Sequence, residues 1–276
     1  MTRVLGIGDN TIDLYVDQGI RFPGGNAVNV AVLTHRLGAD SAYLGCFGSD
    51  AGGDLLRRSL TAEGIDIARC RTYQGDNSWS RVRHLGNDRV FDGSNPGARD
   101  RYRLVADDFT YIASHDLVHS SVFSGLEEEL PRIKRAAPIL SFDYSDRSED
   151  AYFRATAAHV DIAFISSSRS PDAACRELAQ RLASHGPRTV IVTRGSQGAL
   201  ALSRGQFIAQ PIVQVEAIDT LGAGDGFISA FLMAFMAGGS VASALIAAAS
   251  YAAEVCTYKG AFGHGVPITP GQPGTA

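Results

Sequence analysis

The sequence contains few lysines and lacks the phosphate-binding motifs that depend on them. Of its 276 residues only Lys134 and Lys259 are lysines, and neither lies in the Gly-x-x-x-x-Gly-Lys-Ser/Thr loop of P-loop enzymes. The motif set of protein kinases is absent as well. Gly6-x-Gly8 follows a predicted first strand, but Thr11 stands where a dinucleotide-binding turn needs its third glycine. A P-loop enzyme, a protein kinase and a Rossmann oxidoreductase are therefore disfavoured.

Cysteine, basic charge and long apolar stretches are also scarce. The four cysteines, at positions 46, 70, 175 and 256, have neither zinc nor redox spacing, which is typical of reduced, mostly buried thiols. The net charge of −4 provides no basic surface for nucleic acid. No segment reaches the ~20 apolar residues of a membrane span, and the first apolar run is too short for a signal peptide. We expect a cytoplasmic protein with no nucleic-acid or membrane partner.

Two histidines four positions apart, His115 and His119, resemble a metal-binding pair. The segment around them reads as a strand, however, where this spacing leaves the two side chains poorly placed to share a metal ion. We therefore expect both histidines to be structural.

Strand-like and helix-like apolar segments alternate along most of the chain. Predicted strands cover residues 3–7, 41–47, 139–142, 162–165 and 189–193, and predicted helices cover 26–37, 54–63, 126–136, 150–158, 171–184, 226–237 and 241–258. A hairpin around residues 86–88 interrupts this order. The alternation predicts an α/β protein with a mostly parallel sheet, helices on both faces and ligands at the carboxyl ends of the strands.

The segment 218–227 (IDTLGAGDGF) places small residues and a carboxylate at the start of an apolar helix. The N–H groups of Gly222, Ala223 and Gly224 can approach a phosphate closely, and the helix N-terminus favours an anion. The carboxylate of Asp225 beside a bound phosphate is electrostatically unfavourable unless it has a chemical role. One such role is to accept a proton from an attacking hydroxyl. Taken alone, these residues fit equally well a glycine-rich turn capped by an aspartate.

Two motifs in order resemble the ribokinase/PfkB family of carbohydrate kinases. The string Asp-Thr-x-Gly-Ala-Gly-Asp-x-Phe at 219–227 is similar to the family's C-terminal motif, and GGNAVN at 24–29 is similar to its sugar-binding turn. The resemblance covers most of the chain. It implies a ribokinase-like three-layer α/β/α sandwich over residues 1–268, with Asp225 as catalytic base, 222–224 as anion hole, and ATP and Mg²⁺ as cofactors. Residues 269–276 read as a flexible tail.

The family also has a small β lid over the sugar, and residues 13–21 and 72–91 are the corresponding segments here. Closure would exclude water, which matters because a wet acceptor site would hydrolyse ATP. From the residues alone, the hairpin could equally be an ordinary edge hairpin. A homodimer that forms through the lid and a monovalent-cation requirement remain open.

The resemblance assigns substrate contacts residue by residue. Ionised carboxylates suit vicinal hydroxyls because each can accept two hydroxyl hydrogens, although Asp9 would also suit a turn or cap. The candidate substrate-binding residues are Asp9, Asp13, Gly24, Gly25, Asn29 and, in the lid, Arg89.

On the nucleotide side, residues 189–198 (TVIVTRGSQG) resemble the family's strand and ATP-binding loop. The candidate nucleotide-binding residues are Thr193, Gly195 and Gly198, with Asp146 and Arg147 from the segment 141–147. The sequence departs from the family at its Asn-x-x-Glu motif, where Ser166 and Arg169 stand instead. The metal ligands are therefore unknown, and we expect Mg²⁺ to bridge the ATP phosphates through water or other carboxylates.

Within the family, the segments 8–15, 22–32, 87–91 and 142–146 resemble a branch that phosphorylates fructosamines such as fructoselysine on the 6-hydroxyl. Alternatives are a ketose or ketose-phosphate kinase and a nucleoside kinase, because specificity varies readily on one scaffold. A non-catalytic sensor of a sugar or glycated amino acid is an alternative of another class. The intact turn around Asp225 argues against it.

Overall fold

The computed structural model describes residues 1–85, 88–269, 271 and 274, and for residues 84, 85 and 88–91 it describes the backbone alone. The predicted hairpin turn at 86–88 and most of the predicted tail at 269–276 therefore lie outside the described residues. Within the described part of the chain, no helix combines the length and the apolarity needed to cross a membrane.

Strands and helices alternate as the apolar pattern predicts. The strands among the described residues are β1 (Arg3–Gly8), β2 (Thr11–Tyr15), β3 (Ile20–Gly24), β4 (Asp40–Gly48), β5 (Arg71–Tyr73), β6 (Trp79–Leu85), β7 (Asp88–Asn95), β8 (Leu117–Ser121), β9 (Leu140–Asp143), β10 (Ile162–Ser166), β11 (Thr189–Thr193), β12 (Ala199–Ser203), β13 (Gln206–Gln210) and β14 (Val266–Pro267). The α-helices are α1 (Asn26–Arg36), α2 (Ala51–Ala62), α3 (Ala106–Ala113), α4 (Leu130–Ala136), α5 (Asp150–Thr156), α6 (Asp172–Ala183), α7 (Ala223–Met236) and α8 (Val241–Val255).

Nine strands form the larger sheet, in the order β13-β12-β11-β10-β9-β8-β1-β4-β5. From β11 to β5 the neighbours are parallel, whereas β12 and β13 add an antiparallel hairpin at one edge that the sequence reading did not predict. Side chains of each strand alternate between two apolar layers. In β10, Phe164 packs in the layer with α1, α7 and α8, and Ile165 packs in the layer with α3 to α6. The predicted three-layer α/β/α sandwich is thus confirmed.

The second sheet has five strands in the order β14-β3-β2-β6-β7 and is the small β lid. Its strands differ in extent from the predicted lid segments 13–21 and 72–91, since β2 begins at Thr11 and β3 runs to Gly24. Residues 71–73 belong instead to the larger sheet, where β5 pairs in parallel with β4. Near the end of the described chain, β14 returns to pair with β3. The lid therefore combines strands from three distant parts of the sequence.

Candidate active site

A cavity of about 830 Å³ lies between the lid and the carboxyl ends of the parallel strands. Asp9 follows β1, Asp143 ends β9 and Ser166 ends β10, and all three line the cavity. Parallel strands bring their carboxyl ends to one edge of the sheet. This explains why residues far apart in the sequence meet here.

Asp225 lies in the first turn of α7, at the boundary of this cavity. The turn before it depends on Gly222, which has φ 81° and whose Cβ would lie 2.4 Å from Cβ of Ala261. Gly224, in contrast, has helical backbone angles, and a Cβ there would meet nothing within 4 Å. Its N–H has no acceptor among the residues that the structure describes. The turn thus presents an open backbone donor beside a carboxylate at a helix N-terminus, as an anion-binding site requires.

Two asparagines from the first turns of α1 hold the Asp225 carboxylate. Asn26 Nδ2 donates to Asp225 Oδ1 at 2.8 Å, and Asn29 Nδ2 donates to Oδ2 at 2.6 Å. Asn29 Oδ1 is buried and has no hydrogen-bond partner among the residues that the structure describes. An unsatisfied buried acceptor costs stability, and this oxygen is available to accept from a ligand hydroxyl.

Asn26 connects Asp225 to two further groups, the half-buried Asp143 and the buried His119. Its Nδ2 also donates to Asp143 Oδ2 at 3.0 Å, and its Oδ1 lies 2.8 Å from Nε2 of His119. Because an amide oxygen only accepts, His119 must carry its proton on Nε2, and its Nδ1 then accepts from Ser141 Oγ at 2.7 Å. Burial lowers the pKa of His119 to about 3, which keeps the ring neutral. This chain of bonds fixes the orientation of the Asn26 amide.

The sequence reading missed Asn26, Asp143 and this role of His119. Asn26 lies inside the predicted sugar-binding segment 24–29, and Asp143 lies three residues before Asp146, a predicted nucleotide-binding residue. Both are therefore close in sequence to residues that were predicted. His119, expected to be structural, bonds to Asn26, whereas His115 lies between α3 and β8, with its Nδ1 2.9 Å from O of Tyr111 in α3.

The substrate-side candidates occupy different positions. Asp13 is buried in β2 and lines the cavity. Asp9 also lines it, but its Oδ1 accepts from Ala27 N, Ser121 Oγ and Ser124 Oγ. Part of the Asp9 carboxylate is therefore structural, in line with the turn or cap alternative.

The two glycines of the predicted sugar-binding turn act through their lack of a side chain. A Cβ on Gly24 would lie 2.4 Å from Oδ2 of Asp13, and Gly24 does not line the cavity. Gly25 has φ 107° and lines the cavity, and its Cβ would lie 2.5 Å from Cα of Asn10. The side chain of Arg89, the remaining candidate, lies outside the described part of the structure.

A second cavity, of about 650 Å³, adjoins the first. It contains three of the predicted nucleotide-binding residues, Thr193, Gly195 and Gly198, together with Ala223 of the turn. Apolar residues of 211–217 and the small residues of α8 form much of its wall. Ser166, Thr193 and Gly224 line both cavities. A group that moves from one cavity to the other would therefore pass Gly224 and Asp225.

The remaining nucleotide-side candidates, Asp146 and Arg147, do not line the second cavity. Asp146 is exposed and lines the first cavity rather than the second. Arg147 lines neither cavity, and its guanidinium lies 4.9 Å from the ring centre of Tyr152. The geometry therefore gives Arg147 a stacking contact and provides no support for a nucleotide contact.

The residues present fit a magnesium ion that is bound mainly by phosphate and water. Among the described residues, no group of three or more His, Cys, Asp or Glu side chains could hold a metal ion by itself. Mg²⁺ prefers oxygen ligands and keeps several waters, typically adding only one or two carboxylates. The exposed carboxylate of Asp146 suits such a contact, and Ser166 offers a hydroxyl where the family motif has asparagine.

Carboxylates crowd around Asp143. Burial and the nearby carboxylates of Asp225, Asp9 and Asp146 raise the pKa of Asp143 to about 7, although the Ser145 N–H opposes the shift. An aspartate with this folded pKa and an unfolded pKa near 3.8 binds its proton more tightly when folded. The contribution of this tighter proton binding to the free energy of unfolding is therefore complete below about pH 4 and is lost as pH rises through 7.

Asp143→Asn should make the ligand-free protein increasingly more stable than wild type as pH rises from 5 to 8.5. The gain at pH 8.5 should be of the order of 2 kcal/mol, since the carboxylate is partly open to the cavity and water reduces the full effect. Calorimetric melting at stepped pH measures it. Asp107→Asn, an exposed change in the first turn of α3, should show no such trend. Parallel pH profiles for wild type and Asp143→Asn would contradict the raised pKa.

Comparisons with known proteins agree with the site. The sequence matches the family described as pfkB family carbohydrate kinase over residues 4–267. It is 41% identical over 269 residues to fructosamine kinase FrlD of Bacillus subtilis strain 168, covering 96% of this chain and 94% of that protein. It is 34% identical over 262 residues to fructoselysine 6-kinase of Escherichia coli strain K12, covering 95% of this chain and 100% of that protein.

The fold has a solved counterpart. The structure of Arabidopsis thaliana ribokinase complexed with ribose and ATP superposes with a TM-score of 0.82 at 22% identity, covering 95% of this chain and 94% of that one. At this level of identity the likeness establishes the ribokinase-like fold.

Proposed function

Because this chain belongs to the pfkB family of carbohydrate kinases, we propose that it transfers the γ-phosphoryl group of ATP to the 6-hydroxyl of fructoselysine. That it is an ATP-dependent sugar kinase follows from the family. The acceptor and the roles of individual residues form the proposal. The observation that carries it is the position of Asp225, which two asparagines hold beside an open helix N-terminus between two adjoining cavities.

In the proposed reaction, the acceptor lies in the 830 Å³ cavity and ATP in the 650 Å³ cavity. Asp225 accepts the hydroxyl proton as the hydroxyl oxygen forms its bond to the γ-phosphorus, and the bond from that phosphorus to the β–γ bridging oxygen breaks to release ADP. The bonds from Asn26 and Asn29 orient the carboxylate. The N–H of Gly224 and the N-terminus of α7 stabilise the phosphoryl oxygens. Bound Mg²⁺ supplies further neutralisation of the phosphate charge.

A fructosamine fits the chemistry of the first cavity. Its ketose hydroxyls can donate to carboxylates such as Asp13 and to Asn29 Oδ1, which has no partner among the described residues. Its secondary amine is protonated at neutral pH and is therefore favoured by a cavity lined with carboxylates. The two named relatives above act on this class of compound according to their names, and the similarity to both spans almost the whole chain.

We expect fructoselysine to be phosphorylated with a kcat/KM at least about tenfold above that of fructose, ribose or adenosine, because only fructoselysine combines the ketose with an amino-acid portion. Coupled assays of ADP release would measure the four rates, and mass spectrometry with NMR would identify the 6-phosphate. ATP consumption without an acceptor is the control. Equal or better use of any of the other three would overturn the acceptor and leave the kinase assignment in place. A sensor without activity would consume no ATP with any of them.

A further inference from the structure

Among the described residues, one positively charged side chain and several carboxylates line the first cavity. The carboxylates are Asp9, Asp13, Asp143, Asp146 and Asp225. Arg99 is the sole positively charged side chain among the described lining residues. It belongs to the 3₁₀-helix Gly97–Arg101 that follows the lid strand β7. Arg99 therefore approaches the cavity from the lid side, whereas Asp225 approaches it from α7.

The backbone of Arg99 is fixed, but its guanidinium is not engaged. Arg99 N donates to Pro96 O and its carbonyl accepts from Tyr102 N at 2.9 Å, so the helix sets the position of its Cα. No hydrogen bond or ion pair of the Arg99 side chain exists with the described residues. Nearby arginines differ, since Arg71 pairs with Asp108 at 2.7 Å and Arg103 donates to Asp100 O at 2.8 Å.

This availability has a chemical consequence. A partly buried guanidinium presents five donors in a planar fork that matches a carboxylate or a phosphate. Because protein partners engage the neighbouring arginines, Arg99 is the one of this group that is left to meet a ligand in the cavity.

An exposed aromatic side chain lines the same cavity. Phe123 retains 49% of its surface exposed, and it lies in the turn after β8. Its N–H donates to Ser121 Oγ, and Ser121 in turn donates to Asp9 at 2.8 Å, so the backbone of the turn is tied to the sugar side. A large exposed ring is well suited to cover an apolar ligand segment such as a methylene chain.

We propose that Arg99 binds the carboxylate of the amino-acid portion of the acceptor, while Phe123 packs against its methylene chain. This inference rests on the proposed function, because free ketoses and nucleosides carry no carboxylate for Arg99 to bind. The cavity then recognises two kinds of group in one molecule. Its carboxylates bind the hydroxyls and the ammonium group, and its one described cation binds the acidic end.

A matched pair of acceptors tests Arg99 directly. Fructoselysine and fructosyl-cadaverine differ only in the carboxylate, because cadaverine is decarboxylated lysine. Wild type should favour fructoselysine by at least about tenfold in kcat/KM, as expected for a charge-assisted hydrogen bond. Arg99→Gln should bring this ratio close to one by slowing fructoselysine alone. Arg99→Lys should retain part of the preference, since the charge remains without the fork.

The control is Arg103→Gln, which removes the same charge from an exposed side chain that does not line the cavity. It should keep the wild-type ratio. An unchanged ratio in Arg99→Gln, with fructoselysine still phosphorylated, would overturn the role of Arg99 and leave the proposed function intact. Failure of wild type to use either fructosamine would overturn both. An Arg99-dependent preference for fructose 1-phosphate over fructoselysine would show that the bound anion is a phosphate, and this would also overturn the proposal.

Discussion

Replacing Asp225 with asparagine is expected to lower kcat by at least about 100-fold, the usual size of a general-base effect, while ATP affinity stays close to wild type. The substitution preserves the shape of the side chain and removes its ability to take up a proton. Steady-state kinetics would give kcat, and titration calorimetry would give the dissociation constant of ATP.

The hydrogen bonds around Asp225 indicate that Asp225→Asn lowers the free energy of unfolding only slightly. Asn26 and Asn29 both donate to the carboxylate, and an asparagine at 225 offers one carbonyl oxygen for these two amides. One hydrogen bond is lost, at about 1 kcal/mol. Loss of the charge relieves its repulsion of Asp143, which partly offsets that cost. The variant should therefore fold, and its melting temperature should confirm this.

Asp107→Asn is the matched control, because it makes the same change in the first turn of α3 at an exposed site. It should keep wild-type turnover. Near-normal turnover by purified, folded Asp225→Asn would show that another group accepts the proton.

Replacing Gly224 with valine is expected to lower activity by about 100-fold or more with little change in thermal stability. The protein has room for the side chain, because a Cβ at this position meets no atom within 4 Å and the backbone is already helical. The room lies where both cavities meet. A branched side chain would therefore occupy the path of the phosphoryl group and cover the Gly224 N–H, and loss of one such donor typically costs this much.

Two alanine variants distinguish the effect of free space at this turn from the effect of its backbone conformation. Gly224→Ala should be as stable as wild type or slightly more so, since alanine favours a helix over glycine by about 0.5–1 kcal/mol. Gly222→Ala should instead lower the melting temperature, because φ is 81° and Ala261 lies in the way. Wild-type activity in Gly224→Val, or phosphate bound undisturbed at that turn in its structure, would count against an anion hole.

The other motif aspartate, Asp219, has a structural role that the sequence did not predict. Asp219 is buried and accepts from Leu221 N, Gly260 N and the hydroxyl of Tyr15 in the lid strand β2. The motif thus contains one carboxylate that faces the cavities and one that joins the turn to the lid. The sequence did not show the role of Asp219, because that role depends on residues distant in the chain that surround it in the fold.

The sequence by itself determined the features that depend on contiguous residues. Strand and helix order follows from apolar periodicity, and the turn before Asp225 follows from glycines next to an apolar helix, since backbone freedom and helix-end donors are local properties. The start of α7 was predicted at Gly226 instead of Ala223, an error typical of helix boundaries.

Only the tertiary structure decided which residues share the cavity. Asn26 and Asp225 are 199 positions apart, and they meet because the order of strands in the sheet places α1 beside α7. Apolar periodicity shows that a strand is buried and does not encode its neighbours. For this reason residues 72 and 73, predicted in the lid, lie in the larger sheet. The sequence likewise did not predict that Asn26, Asp143 and Arg99 line one cavity, or that His119 bonds to Asn26.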